Sequence, residues 1–305
     1  MNLPSMPSGA LLATIERNRR RMWGLCYRMT GSRSDADDLA QEAIARAIER
    51  EAQVEDRDKL DGWLLRVATN ACLDHLRRRR IERRLTELVD PLEVRTPGDV
   101  PDRIDPERAL LLREDVRFAV VVALQRLPAR QRAALVLHEV FDRPLIEVAE
   151  TLGTNPNNVK ALLARARGAL ARERRHADVD VPADRAVVDR LVAAIEARSV
   201  EAFRELLAED VWGVTDGGDR VPVARKPVFG IRAVARGFAS VDRRQPLPVS
   251  ARLRVLNGEP AVVVTLPAAG GAVFASVHVE TRAGRIVALR VVRDPQKLAY
   301  LEGPQ

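Results

Sequence analysis

The sequence predicts a multidomain chain: two all-α domains, the second ending in a helix-turn-helix, followed by an α+β domain. Apolar residues recur at helical spacing from about Leu11 to Arg84 and again from about Arg108 to His176. Between the two blocks lie Pro91, Pro97, Pro101 and Pro106 with Gly98 and several acids, which reads as a flexible linker. After the polar stretch Ala177–Asp184 a third block begins helical and then turns alternating and β-branched, as in VFASVHVET and GRIVALRVVR. The expected boundaries are 8–84, a linker at 85–110, 111–176 and 183–301.

With 305 residues, 46% of them hydrophobic, the chain has room for two or three cores and does not read as disordered. Lys and Arg number 50 against 43 acids, a net charge of +7, which suggests an anionic partner, nucleic acid first. The excess is modest, so its placement matters more than its size. Cys26 and Cys72 sit in apolar helical patterns without CxxC spacing and read as reduced, buried thiols of a cytosolic protein. The four scattered histidines form no metal constellation, and no cofactor is implied. MNLPSMPSGALLA lacks the basic and long apolar parts of a signal peptide, and runs such as Phe118–Leu124 are too short to span a bilayer, so no membrane partner is expected.

In the first block, SRSDADDLAQEAIARAIER is expected to start a helix at Ser34, with Asp35, Asp37 and Asp38 in its first turn. Acids there favour the helix dipole, so ordinary capping accounts for them as well. The next helix, residues 60–80, places Asn70 and Asp74 four apart on a face with Trp63 and Val67, opposite Leu65, Cys72 and Leu76. It ends in Arg77, Arg78, Arg79 and Arg80, followed by Arg83 and Arg84. Such a run is often a solvated face at a helix C-terminus; beside two polar side chains it also suits phosphates next to an exposed base.

In the second block, residues 145–154 read as a short amphipathic helix ended by Gly153, with Asn155 as N-cap and Pro156 at the first position of a second helix. Helix, glycine turn, helix is the helix-turn-helix pattern. Val159, Leu163, Ala166 and Leu170 form the expected buried stripe, and the opposite face carries Asn157, Asn158, Ala161, Ala164, Arg165, Gly168 and Arg172. Small residues let the backbone approach a groove, and the polar ones can meet base edges and phosphates. Lys160 and Arg167 flank that face.

These residues resemble the extracytoplasmic-function sigma factors of bacterial RNA polymerase. LCYRMTGSRSDADDLAQEAIARA resembles the family's grip on the polymerase clamp helices, GWLLRVATNACLDHLRRRR its promoter −10 reader, and LQRLPARQRAALVLHEVFDRPLIEVAETLGTNPNNVKALLARAR its −35 reader. The three run in the family's order over roughly the first 176 residues. The resemblance implies that Asp37, Asp38, Gln41 and Glu42 meet core RNA polymerase. It implies that Asn70 takes a flipped −10 base, with Asp74, Arg77 and Arg78 nearby, and that Asn157, Asn158, Lys160 and Arg165 meet the −35 promoter DNA. An amide offers a base edge both a donor and an acceptor. Where the family carries Thr-Val-Lys-Ser-Arg this chain has Asn158-Val-Lys-Ala-Leu162, losing a hydroxyl and an arginine.

The opening of the third block, AVVDRLVAAIEARSVEAFRELLAEDVWGVTDGGDR, resembles an NTF2-like (SnoaL-like) α+β cone, which a subset of these sigma factors carries as a regulatory domain. That subset's Asp-Gly-Gly-Gly-Lys turn and Asn-Pro-Asp-Lys-Leu tail have counterparts in Asp216, Gly217, Gly218 and in Asp294, Pro295, Lys297, Leu298. Two other readings stand beside this one: a helix-turn-helix regulator sensing a small ligand in the C-terminal cavity, and an enzyme of the same fold using Trp212, Asp216, Asp219 or His278. An anti-sigma partner and an inducing signal are not legible in the residues.

Overall fold

The computed structural model describes residues 8–54, 59–78, 88–91, 118–174, 184–218, 220–224, 226–245 and 247–301. The chain divides into two units: Met1–Ile81 with Val121–Arg172, and Glu82–Val120 with Glu173–Gln305.

The first unit is all-helical. In α1 (Gly9–Thr30), Leu11, Ile15, Met22, Leu25 and Met29 share one face by their three- and four-residue spacing and are buried. Ser8 caps the helix by accepting from the Leu11 amide at 3.2 Å, and Gly31, at φ 71°, closes it. The next helix, α2 (Arg33–Glu49), begins at Ser32 and not at the expected Ser34. Ser32 has the extended backbone of a cap and accepts from the Asp35 amide at 3.3 Å, so Asp35 is the one acid in the first turn. Helix α3 (Leu60–Arg78) lays Leu64, Leu65, Ala68 and Cys72 against α1 and α2. Cys26 and Cys72 meet in this core as free, buried thiols, and the Cys26 neighbour and burial hold Cys72 well above the usual thiol range.

From Val121 to Arg172 the same unit takes in most of α4 (Phe118–Gln125), α5 (Ala129–Leu135), which runs into a π turn at Val136–Val140, α6 (Leu145–Thr151) and most of α7 (Pro156–Arg174). Arg132, 4% exposed, donates to the carbonyls of Met29, Gln125 and Leu127 and so ties α5 to the end of α1. No helix among the described residues is long and apolar enough to cross a membrane.

The second unit is the expected α+β domain. Its elements are α8 (Arg185–Glu196), α9 (Val200–Glu205), β1 (Leu207–Asp216), β2 (Val228–Phe229) and α10 (Ile231–Arg244), then β3 (Ser250–Leu256), β4 (Glu259–Leu266), β5 (Ala272–Arg282), β6 (Arg285–Val292) and α11 (Pro295–Leu298). One sheet runs in the order β2-β1-β6-β5-β4-β3; β1 and β6 are parallel and the other pairs antiparallel. Asn257-Gly258 and Ala283-Gly284, all at positive φ, make the two-residue turns of the β3–β4 and β5–β6 hairpins. Register shifts in β1, β4 and β5 bend the sheet toward an NTF2-like cone. Val187, Leu191, Phe203, Val211, Val262, Val277 and Leu289 belong to the core between helices and sheet. By strand alternation Ser276, His278 and Glu280 point to the opposite face, and they are buried there too. On that face Glu280 pairs with Arg290, whose guanidinium lies 4.9 Å from the Trp212 ring centroid. Helix α11 packs on β5, and Leu298 and Leu301 are buried, so the end of the domain docks.

Candidate functional site

Asp37, Asp38, Gln41 and Glu42 occupy adjacent turns of α2, so the helical period puts them on one face. Asp37, Asp38 and Gln41 are exposed; Glu42 is partly covered because it pairs with Arg46. The Trp23 indole donates to Asp37 at 2.6 Å and stacks on Tyr27 at 5.5 Å. Trp23 therefore positions an acid of this face, a link between two helices that local sequence does not reveal.

Asn70 is exposed on α3 and lines a hollow of about 210 Å³ with Trp63, Val67, Arg46, Arg50 and Arg66. That is roughly seven times the ~30 Å³ one water occupies in the liquid. The hollow combines an amide that can read a base edge, an aromatic ring on which a base can stack, and three guanidinium groups, of which Arg46 is paired with Glu42 and Asp74 and Arg66 with Glu150. Trp63, Val67 and Asn70 follow from the helical face; Arg46 and Arg50 come from α2 and its end, where no spacing on α3 could find them. Asp74 does not line the hollow. Its carboxylate pairs with Arg77 at 3.2 Å and with Arg46 at 3.7 Å, which places it between α2 and α3 as a holder of arginines. Arg77 and Arg78 are exposed at the helix end, while Arg79, Arg80, Arg83 and Arg84 lie outside the described residues.

The helix-turn-helix forms as its residues suggest. Gly153 turns at φ 57°, and the Asn155 side chain accepts from the Asn158 amide at 2.9 Å as the N-cap of α7. Val159, Leu163 and Ala166 are buried and Leu170 is half-buried. Asn157, Asn158, Lys160 and Arg165 are all exposed on this helix. The Asn158 amide group also donates to Thr154 at 3.0 Å. Arg167 is drawn aside to Glu139, with a 2.9 Å bond from its Nε, so it does not stand free beside that face.

In the second unit, the two motifs far apart in sequence come together. The Asp216 carboxylate accepts from the Gly218 amide at 2.9 Å, from Lys297 at 2.9 Å and from the Leu88 amide at 2.7 Å. Lys297 also donates to the Leu88 carbonyl. Gly218 sits at φ 57°, and a Cβ there would fall 2.4 Å from the Asp294 carboxylate; one at Gly217 would fall 2.2 Å from the Val221 carbonyl. Both glycines are thus required by close approach. Asp294 caps α11 by accepting from Gln296 at 3.0 Å, with Pro295 at the first helical position. Leu298, in the last turn of that helix, anchors it in the domain. Leu88–Pro91, inside the stretch that reads as a flexible linker, is buried against this cluster because its backbone completes the hydrogen bonding of the buried ion pair.

A separate cavity of about 560 Å³ lies between α8, α10 and the sheet. Of the residues weighed for catalysis, Trp212, Asp216 and His278 do not line it, and Asp219 lies outside the described residues. Burial, with the Arg290 charge, pulls His278 down to about 3, so its imidazole stays neutral.

The family model for Sigma-70 region 2 matches residues 14–81, and that for Sigma-70, region 4 matches residues 117–170. The ECF RNA polymerase sigma factor SigG of Mycobacterium tuberculosis is 38% identical over 229 residues, a match that spans 67% of this chain but 61% of SigG. SigJ of the same organism, also an ECF RNA polymerase sigma factor, is 34% identical over 296 residues, covering 94% of this chain and 92% of SigJ. The crystal structure of M. tuberculosis SigJ aligns with a TM-score of 0.71 at 30% identity, over 94% of this chain and 98% of that one. The SigJ match extends through the α+β domain as well as both helical blocks, and with it the chain belongs to the extracytoplasmic-function sigma factors of RNA polymerase.

Proposed function

We propose that the chain binds core RNA polymerase and directs promoter-specific initiation, and that its C-terminal domain modulates that activity. The α2 face with Asp37, Asp38, Gln41 and Glu42 would meet the clamp helices of the largest subunit. The exposed face of α7 would lie in the −35 major groove, with Asn157 and Asn158 toward base edges and Lys160 and Arg165 toward base or phosphate. The observation that carries the proposal is the Asn70 hollow. An ordinary helix-turn-helix regulator reads duplex DNA and has no use for a basic, aromatic-walled pocket on a second domain. A protein that holds one extruded base does. Extrusion costs a few kcal/mol and is easiest where the duplex is already melting.

Modulation is supported by the Asp216–Lys297 pair and its hold on Leu88. Leu88 stands in the chain that joins the −10 and −35 readers, so gripping it restricts how far that connection can extend. The test compares the full chain, a chain ending at about residue 290, and one ending at about residue 183, at matched concentration on one promoter with core polymerase. The tail deletion is expected to change activity, most simply upward. Equal activity from all three would remove the regulatory reading.

A further inference from the structure

The cavity of the second unit has, at about 560 Å³, the size of a small-molecule site, which typically runs about 300–1,000 Å³. Its walls are mainly aliphatic and aromatic, with Leu191, Phe203, Val264, Phe274 and Val277 among them. Gly237, within α10, also lines it, and a Cβ added there would meet nothing within 4 Å. Three arginines break the apolar lining. Arg198 is committed to the loop after α10, donating to the Gln245 carbonyl at 2.6 Å. Arg293 and Arg244 make no ion pair among the described residues. Arg293 follows β6, is half-buried, and lies 4.2 Å from the Phe274 ring centroid; its Nε is buried without a hydrogen-bond partner among the described residues. Burial and the like charge of Arg244 both draw its pKa below the usual arginine range.

A part-buried cation whose Nε lacks a partner, on the same cavity wall as a second, exposed cation, is unfavourable unless an anion joins them. A guanidinium fork matches a carboxylate in two parallel hydrogen bonds. We propose that this cavity binds an apolar carboxylic acid, such as a medium-chain fatty acid, with its carboxylate on Arg293 and Arg244 and its hydrocarbon body in the chamber. The site deepens the sensing side of the proposed regulation, yet binding can be measured whatever the domain does to transcription.

The experiment is calorimetric titration of the full chain with decanoate and with the neutral 1-decanol. One decanoate should bind per chain, and 1-decanol at least tenfold more weakly. Arg293→Gln should weaken decanoate at least tenfold and leave 1-decanol within twofold. Gly237→Leu, which fills the chamber, should abolish binding of both while thermal unfolding stays cooperative; Arg293→Gln carries the test if that variant fails to fold. Absence of decanoate binding to the wild type, equal affinity for the alcohol, or an unchanged decanoate affinity in Arg293→Gln would each overturn the proposal.

Discussion

Lys297→Ala removes the cation that neutralises Asp216 and a donor to the Leu88 carbonyl. The Asp216 side chain is 6% exposed and that of Lys297 17%. Breaking a fully buried pair by deleting one partner costs about 3–5 kcal/mol. Here water reaches part of Lys297, and the carboxylate keeps the Gly218 and Leu88 amides, so the smaller value for a charged hydrogen bond, about 1.5–3 kcal/mol, is the better guide. At about 1.4 kcal/mol per decade, local opening at Leu88 should become roughly 10- to 150-fold more frequent. The assay is native-state hydrogen exchange at the Leu88 amide, which donates to Asp216 at 2.7 Å. In Lys297→Ala this amide should exchange faster by that factor, while Val277 in β5 should change little, because it reports opening of the sheet. Unchanged exchange at Leu88 would refute the idea that the ion pair holds this segment.

Asn70→Ala should weaken promoter opening by about 1–3 kcal/mol and core binding hardly at all; equal loss on every −10 sequence would make the residue structural. Arg78→Ala should reduce the slope of log affinity against log salt by about one unit if it meets a phosphate, whereas Arg165→Ala should lower binding selectively on −35-containing DNA; an unchanged slope would leave Arg78 in solvent. His278 contributes pH-dependent stability. Its folded pKa, near 3, lies below the ordinary 6.5, so the contribution is complete above pH 6.5 and is lost as pH falls toward 3. From pH 7 to pH 5 the loss should be about 2 kcal/mol, read from urea unfolding, and His278→Asn should lack it; equal losses in both proteins would acquit His278.

The legible features were those set by local spacing. Asn155 and Gly153 are found by their chemistry at a helix boundary, and the buried stripe of α7 by its period. Ser32 and Ser34 are equally good caps in sequence, and only the turn after Gly31 selects Ser32. The Asn70 face was legible, but Arg46 and Arg50 were not, because they reach it from α2 and its end. Asp74 and Arg167 each have a partner elsewhere in the fold, Arg46 and Glu139, which the spacing along their own helices does not show. Leu88 could not be found at all: prolines nearby spell a linker, while the contact that orders it joins residues 128 and 209 positions away. The cavity was implied by the fold, but the cationic character of its wall depends on Arg244, at the end of α10, and Arg293, just after β6, which lie far apart in sequence.

The central claim is tested by transcription in vitro from a promoter-bearing template with purified core polymerase, with and without this chain. Promoter-directed transcripts should appear only when both proteins are present, and opening of the template, followed by permanganate reactivity at the −10 element, should fall in Asn70→Ala. A chain that binds one duplex site at nanomolar affinity by itself but never programs core polymerase would contradict the account.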